Sequence, residues 1–406
     1  MKILNNLSRL LIGCIFLYSG FIKGIDPLGF LYKFSDYCEA LGVPHFNILS
    51  LVLVILISTL EFLIGISLIL NIKTKWSLSW AMILTIIFIP ITLWIAITDK
   101  VINCGCFGDA IYFTNWESFI KNIIIILILI PAFLVRKKFK SPFNVLEESF
   151  MYPLCAVFMI LIEIHSLNHL PFIDFSSYAI GNDINEEIEK NNSNNIRTLL
   201  EYENINTGEI KDFELDNYPW KDSLNWKFIQ QKNISISGEK PPINFTIIHP
   251  TLGNISHKLL SDKNLTFLYI ARNLDKAKYR LRVNDLINYS FEHNINFYGV
   301  TASDEKSIYR FKIKNNINFD FCTMDGTEIK TIIRSNSGLL LLNNGIIIDK
   351  WSSKDIPRLE DLQDVNPLSY SIKHKEYLLN SFRLKLLILI FITFLLLYLL
   401  RKYRKK

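Results

Sequence analysis

"ILSLVLVILISTLEFLIGISLIL", residues 48–70, is an apolar run in which only Glu61 carries a charge. A helix crosses a bilayer with roughly 20 mostly apolar residues, and this stretch supplies them. Similar runs lie at 7–25, 76–97, 116–135, 150–167 and 384–400. The first is no signal peptide by its residues, because "YSGFIKGIDP" offers no small-x-small cleavage site. It is expected to stay as a helix. Half of the 406 residues are hydrophobic, and clustered runs of this length predict an integral membrane protein.

Lys and Arg are retained on the cytoplasmic side of a bacterial inner membrane, so the short loops vote on orientation. Lys2 and Arg9, "KTK" at 73–75, "RKKFK" at 136–140 and the closing "RKYRKK" place both termini inside. The loops 24–47 and 98–115 and the polar stretch that follows residue 167 then face the periplasm. Lys23, Lys33, Lys100, Arg383 and Lys385 vote against. The net charge of +6 sits largely in these flanks, so it is a topology signal and predicts no nucleic-acid partner.

This orientation sorts the six cysteines. Cys38, Cys104, Cys106 and Cys322 fall outside, where thiols can be oxidised; Cys14 and Cys155 fall within helices. "NCGCFGD", residues 103–109, sets Cys104 and Cys106 around one glycine. A bridge between them would close a small, strained ring that is easily reduced, and Gly105 tolerates the dihedrals it needs. Thiol–disulfide exchange, metal binding and an inert pair all remain open. Two thiolates make only half of a tetrahedral shell, and the loop adds only Asp99 and Asp109, so no metal is expected. In "PLGFLYKFSDYCEALG" the spacing of Leu31, Phe34, Cys38 and Leu41 predicts a short helix at the outer surface. Cys38 is there a small buried hydrophobe or a resolving thiol.

Glu61 would be costly inside a bilayer, so it faces a partner or a cavity. It is a proton-handling or quinone-facing group, or a polar contact fixing helix packing beside Gly65, and helix rise puts Cys14 and Tyr18 at its depth. Quinone is accordingly the one candidate cofactor. "EIHSLNH", 163–169, has histidines four apart, a spacing that can bind metal but also suits a helix exit.

"RLLIGCIFLYSGFIKGIDPLGF" at 9–30, "EFLIGISLIL" at 61–70 and "CGCFGD" at 104–109 resemble the DoxX-like and MauE-like families of four-helix bacterial membrane proteins. The shared features are Arg9, Ser19, Gly20, Lys23, Asp26, Pro27 and Glu61, and the cysteine loop resembles the redox-associated branch. The likeness covers residues 1–140. It implies redox chemistry in the envelope, since MauE is tied to maturation of a disulfide-rich enzyme, and names no substrate.

Past residue 169 the Asn- and Glu-rich "NDINEEIEKNNSNN" reads as an exposed linker or helix edge, and 202–215 as a hairpin around Thr207 and Gly208. A strand at 265–271, a helical run at 276–293, a strand at 295–302, a helix near 306–315 and a hairpin at 338–351 follow. That order resembles the thioredoxin-like fold of thiol-disulfide and TlpA-like proteins. "IARNLDKAKY" lacks their Cys-x-x-Cys, and Ser337 stands at the cis-proline position. The whole chain resembles DoxX proteins that carry such a cysteine-poor domain. Cys322, in "FDFCTMDG", is a strand-end residue or an electron relay.

The expected architecture is a membrane α-helical bundle with about six spans plus an α/β thioredoxin-like soluble domain. Residues 1–140 form the four-helix unit and 141–168 a fifth span. Residues 169–380 are periplasmic, with the thioredoxin-like part at about 240–360, and 381–406 form the last span and its basic tail. The function expected is envelope thiol redox chemistry with a periplasmic client or thiol oxidoreductase as partner. The alternative is a non-catalytic scaffold that binds through the cysteine-poor domain.

Overall fold

A computed structural model describes residues 2–43, 47–101, 104–192, 196–205, 207–208, 210–214, 217, 219, 222, 224–235, 243–363 and 366–404. The chain begins with α1 (Lys2–Ile25), α2 (Pro27–Ala40), α3 (Asn47–Leu70), α4 (Thr74–Thr98), α5 (Asn115–Leu134) and α6 (Val145–Asn168). All but α2 are long and apolar enough to cross a membrane, five helices among the described residues. Ile86, Leu127, Leu134 and Leu161 are exposed on them, as lipid-facing side chains are. The short helix α2 lies where the spacing of Leu31, Phe34 and Cys38 put it. Asp26 caps it by accepting a hydrogen bond from the Gly29 N–H.

Helices α1 and α3 touch backbone to backbone. A Cβ on Gly20 would stand 2.3 Å from the Phe62 nitrogen, and one on Gly65 2.2 Å from the Leu17 nitrogen. Small residues permit such an approach, and backbone atoms cannot retreat from an added side chain. Gly65→Val should therefore destabilise the bundle by about 1–3 kcal/mol or more, read as a lower unfolding midpoint in detergent. A wild-type midpoint would contradict this contact. At the other end of α1, Arg9 donates to the carbonyls of Leu68 and Ile69, closing the end of α3.

Beyond α6 come α7 (Ile184–Asn192) and the strands β1 (Ile196–Asn204), β2 (Ile210–Glu214) and β3 (Trp226–Ser235). The strands form an antiparallel sheet in the order β2-β1-β3. Next are β4 (Ile248–His249), β5 (Gly253–Asn254), α8 (Ser256–Ser261), β6 (Leu265–Ala271), α9 (Arg282–Glu292), β7 (Asn296–Thr301) and α10 (Glu305–Asn315). The chain then runs through β8 (Phe321–Thr323), α11 (Gly326–Ile332), β9 (Gly338–Asn343), β10 (Ile346–Ser352), α12 (Leu359–Gln363) and α13 (Pro367–Arg404). The second sheet has seven strands in the order β10-β9-β6-β7-β8-β4-β5. Its centre, β6-β7-β8, is parallel, and β9 and β10 are antiparallel to their neighbours. Side chains of β6 alternate between two cores, Leu268 and Ile270 on one face and Phe267 and Tyr269 on the other.

Three sequence expectations change. The stretch read as an exposed linker or helix edge forms the helix α7, and residues just before it and at its start pack on the core: Tyr178 and Ile184 are fully buried, and the Gly181 and Ile184 N–H groups donate to the carbonyls of Ile347 and Gly345 at 2.7 and 2.9 Å. Tyr178 and Ile184 join the core formed by residues of 245–347, and the β1–β3 sheet lies between the two sets in the chain. Polar composition hid a few apolar residues that pack at one edge of the sheet. The helix expected over 276–293 begins only at Arg282, after a tight turn at Leu274–Lys276. The last helix is continuous from Pro367, because the polar turns before residue 381 are held by the domain: the His374 ring lies 2.9 Å from Asp349. The stretch expected as a sixth span, 384–400, falls on α13, and the side chains at 389, 394 and 396–400 lie outside the described residues.

Candidate functional site

Ser19 and Lys23 are one turn apart on α1 and face Glu61 of α3. Lys23 Nζ donates to both carboxylate oxygens at 2.7 and 2.8 Å, and each side chain is 3% exposed. Ser19 Oγ lies 2.8 Å from Glu61 Oε2 and 3.0 Å from the Cys106 carbonyl oxygen, so its single proton serves one of them at a time. The rings of Phe30 and Phe88 stand 4.9 and 5.6 Å from the ammonium. The expected partners of Glu61 are thereby corrected. Cys14 is exposed and Tyr18 turns its ring to Phe107 instead. Depth along a helix says nothing of which side a residue faces; the spacing of Ser19 and Lys23 was the available signal. Lys23, counted against the expected orientation, is a buried charge paired with Glu61.

The cysteine loop rests on this ion pair. Residues 106–110 form a turn in which the Gly108 N–H donates to the Gly105 carbonyl at 3.0 Å and the Ala110 N–H to that of Phe107 at 3.2 Å. Gly105, at φ +63°, takes the left-handed conformation that side chains avoid, and the stem of Lys33 lies 3.0 Å from where its Cβ would be. Phe107 is buried between Tyr18 and Phe113, with the Lys121 ammonium 4.7 Å over its face. Tyr37 of α2 donates to the Cys104 carbonyl at 2.6 Å.

Both thiols are reduced, Cys104 buried and Cys106 partly exposed, and they are hydrogen-bonded to each other. The pair shares one proton. The bond from Cys104 lowers Cys106 to about 5, and the cations Lys121 and Lys23 add to it against the opposing effect of burial. The same bond, with burial, pushes Cys104 well above the usual thiol range. One nucleophilic thiolate and one reluctant thiol is what the arrangement makes.

Of the other sequence candidates, Cys38 sits on α2 beside Tyr37, its thiol raised by burial. Cys322 is fully buried in the core around β8, and burial pushes it up to about 11. The structure gathers Cys104, Cys106 and Glu61 at one end of the bundle and places Cys322 in the soluble core. His165 stacks on Phe172 and His169, and His169 lies 2.7 Å from Asp355. Among the described residues no cluster of three His, Cys, Asp or Glu side chains could hold a metal.

Two contacts were not found from sequence. Glu163 of α6, within "EIHSLNH", is another fully buried carboxylate, accepting from Ser58 at 2.5 Å and Thr59 at 3.2 Å. Arg334, between α11 and β9, reaches from the soluble domain to the bundle: Nε donates to Asp26 Oδ2 at 2.8 Å and Nη2 to Asp109 Oδ2 at 2.5 Å. Arg272 and Lys330 stand 5.5 and 5.1 Å from the Tyr32 ring of α2.

Fold and site together define a multi-pass helical membrane protein with a thiol pair seated over a buried ion pair. Residues 1–135 match the family model for methylamine utilisation protein MauE, which makes the region from α1 to the end of α5 MauE-like. Residues 196–237, around the β1–β3 sheet, match a domain of unknown function (DUF8463). A search of the curated proteins gives no match.

Proposed function

We propose that this protein exchanges thiols and disulfides at the periplasmic face of a bacterial inner membrane, with Cys104 and Cys106 as the working pair. The observation that carries this reading is the hydrogen-bonded pair itself, in which one thiol is held ionised beside Lys121. The Cys106 thiolate attacks one sulfur of a partner disulfide; the S–S bond breaks and the partner's other sulfur leaves as a thiolate that takes up a proton. Once Cys106 is in the mixed disulfide it is no longer an anion, so the main influence raising Cys104 is gone. Cys104 then releases its proton, attacks Cys106 Sγ and frees the partner's second thiolate. The partner gains two electrons and the pair loses two. Because the Cys104–Cys106 ring is strained, the reverse direction, delivery of the disulfide to a partner dithiol, is favoured.

The soluble domain is read as thioredoxin-like: β6-α9-β7-α10 followed by the β9-β10 hairpin, in the sheet order β10-β9-β6-β7, supports that likeness. Its redox position, 270–279, has no cysteine, which favours a supporting role over exchange by the domain. Quinone as an electron acceptor remains part of the reading through Glu61; its test is binding of a quinone to the purified protein, lost in Glu61→Gln under conditions where that variant keeps its folded bundle.

Cys104→Ser removes the resolving thiol and leaves the nucleophile. Cells carrying it should accumulate reductant-sensitive adducts on Cys106, whereas Cys106→Ser should form far fewer. Should Cys104→Ser yield no adducts, with both wild-type thiols reduced under every growth oxidant, the non-catalytic scaffold is the better reading.

A further inference from the structure

We infer that Arg334 is a positioning residue for the thiol pair: through Asp109 and Asp26 the soluble domain clamps the loop 104–109 onto the outer ends of the membrane helices. The inference rests on the thiol pair being the working site, and it gives the cysteine-poor domain a task.

The loop has no helix or strand: Tyr37 holds Cys104, Ser19 and Lys121 hold Cys106, Phe107 packs between Tyr18 and Phe113, and the far end is held through Asp109. Asp109 lies in the same turn, and its carboxylate takes both the Tyr112 hydroxyl at 3.0 Å and the Arg334 guanidinium. The other arm of that guanidinium holds Asp26, which joins α1 to α2 and so stands between Lys23 and Tyr37, two groups that address the thiol loop. A guanidinium fork spans two carboxylates; an ammonium is a point charge. The Arg334 side chain is 10% exposed, so both ion pairs are largely shielded from water. Around them Arg272, Lys330 and Arg334 on the soluble domain meet Asp26, Asp36 and Asp109 on the bundle, with Asp174 of the domain's own side also near Arg334 and Lys33 of α2 near Asp36.

Arg272 directly follows β6, and Arg334 lies three residues before Ser337. The domain thus meets the bundle with the pole at which a thioredoxin-like fold would do its own chemistry. The groups that face Cys106 are Cys104 of the loop, Lys121 of α5, Lys23 of α1 and Tyr37 of α2. A loop released at Asp109 shifts against the three that belong to the helices.

The test is the rate at which Cys106 is alkylated by iodoacetamide as a function of pH, in the full chain in detergent, for Arg334→Ala, Arg334→Lys and Arg272→Ala. This readout needs no exchange partner, so it stands or falls apart from the redox reading. Arg334→Ala should move the midpoint of the profile up by about one pH unit or more, since one unit is a tenfold change in the ionisation equilibrium. Arg334→Lys should restore part of the shift, and Arg272→Ala, which loses the ring contact and hydrogen bond with Tyr32 and leaves the Arg334 pairs with Asp26 and Asp109 in place, should keep the wild-type profile. A wild-type profile in Arg334→Ala, or an equal shift in Arg272→Ala, overturns the inference. If Arg334→Ala does not accumulate, Arg334→Lys decides alone: a raised midpoint supports the clamp and an unchanged one refutes it.

Discussion

Lys23→Met should destabilise the bundle by about 3–5 kcal/mol, because it strands the Glu61 carboxylate in a buried site without its cation. Both side chains are almost wholly covered, so water cannot screen the loss. Glu61→Gln should cost a comparable amount by stranding the ammonium. Replacing both at once, Lys23→Met with Glu61→Met, removes both buried charges and should recover most of the unfolding midpoint, since apolar substitutes for a buried pair are often neutral. The Ser19 link to the Cys106 carbonyl loses its second acceptor in that double variant. Its thiol reactivity should therefore stay altered even where stability returns. Unfolding in detergent followed for the four proteins separates these outcomes; singles as stable as wild type would mean that the pair carries no such burden.

The second large effect is a change in the shape of a pH profile. An ordinary thiol, ionising near 9, gains reactivity about tenfold for each pH unit up to its pKa. Cys106, held at about 5, is already ionised at neutral pH. Its alkylation rate should be nearly flat from about pH 6.5 to 9 and fall only as the pH drops through the folded value. The denatured chain should instead show a rise of about a hundredfold across the same range. Absolute rates at neutral pH are a poorer measure, because a thiolate of low pKa is also a weaker nucleophile. Lys121→Met should move the fall of the profile toward neutral pH, the sign expected when a cation is taken from a thiolate. A folded profile that climbs like the denatured one would remove the basis for calling Cys106 the nucleophile.

The spanning helices were legible because hydropathy is a local property: each run announces itself without knowledge of its neighbours. The β9-β10 hairpin was legible for a similar reason, since Asn344 and Gly345 both sit at positive φ, as their dipeptide suggests. The Cys-Gly-Cys spacing pointed to the pair but not to which sulfur is ionised, which depends on Lys121 from a different helix. The partnership of Lys23 with Glu61 depends on how α1 rotates against α3, at which the spacing of Ser19 and Lys23 and the glycines that let the two backbones meet both hint. Arg334 was beyond reach. It lies 308 residues from Asp26 along the chain, and nothing near it in sequence marks it among the other basic residues.

The chain enters the soluble domain from α6 and leaves it through α13, and the rings of Phe172 and Phe382 meet 5.1 Å apart where the two strands of the chain converge. A domain held at both ends is not a partner that must be found by diffusion. Its guanidinium stands near Asp109 at an effective concentration on the order of millimolar or above. Contacts too weak to join two separate proteins are then enough to keep this one closed. A competitor for Asp109 has to match that local concentration before it opens half of the molecules, so a dilute partner would reach the thiols through the closed form.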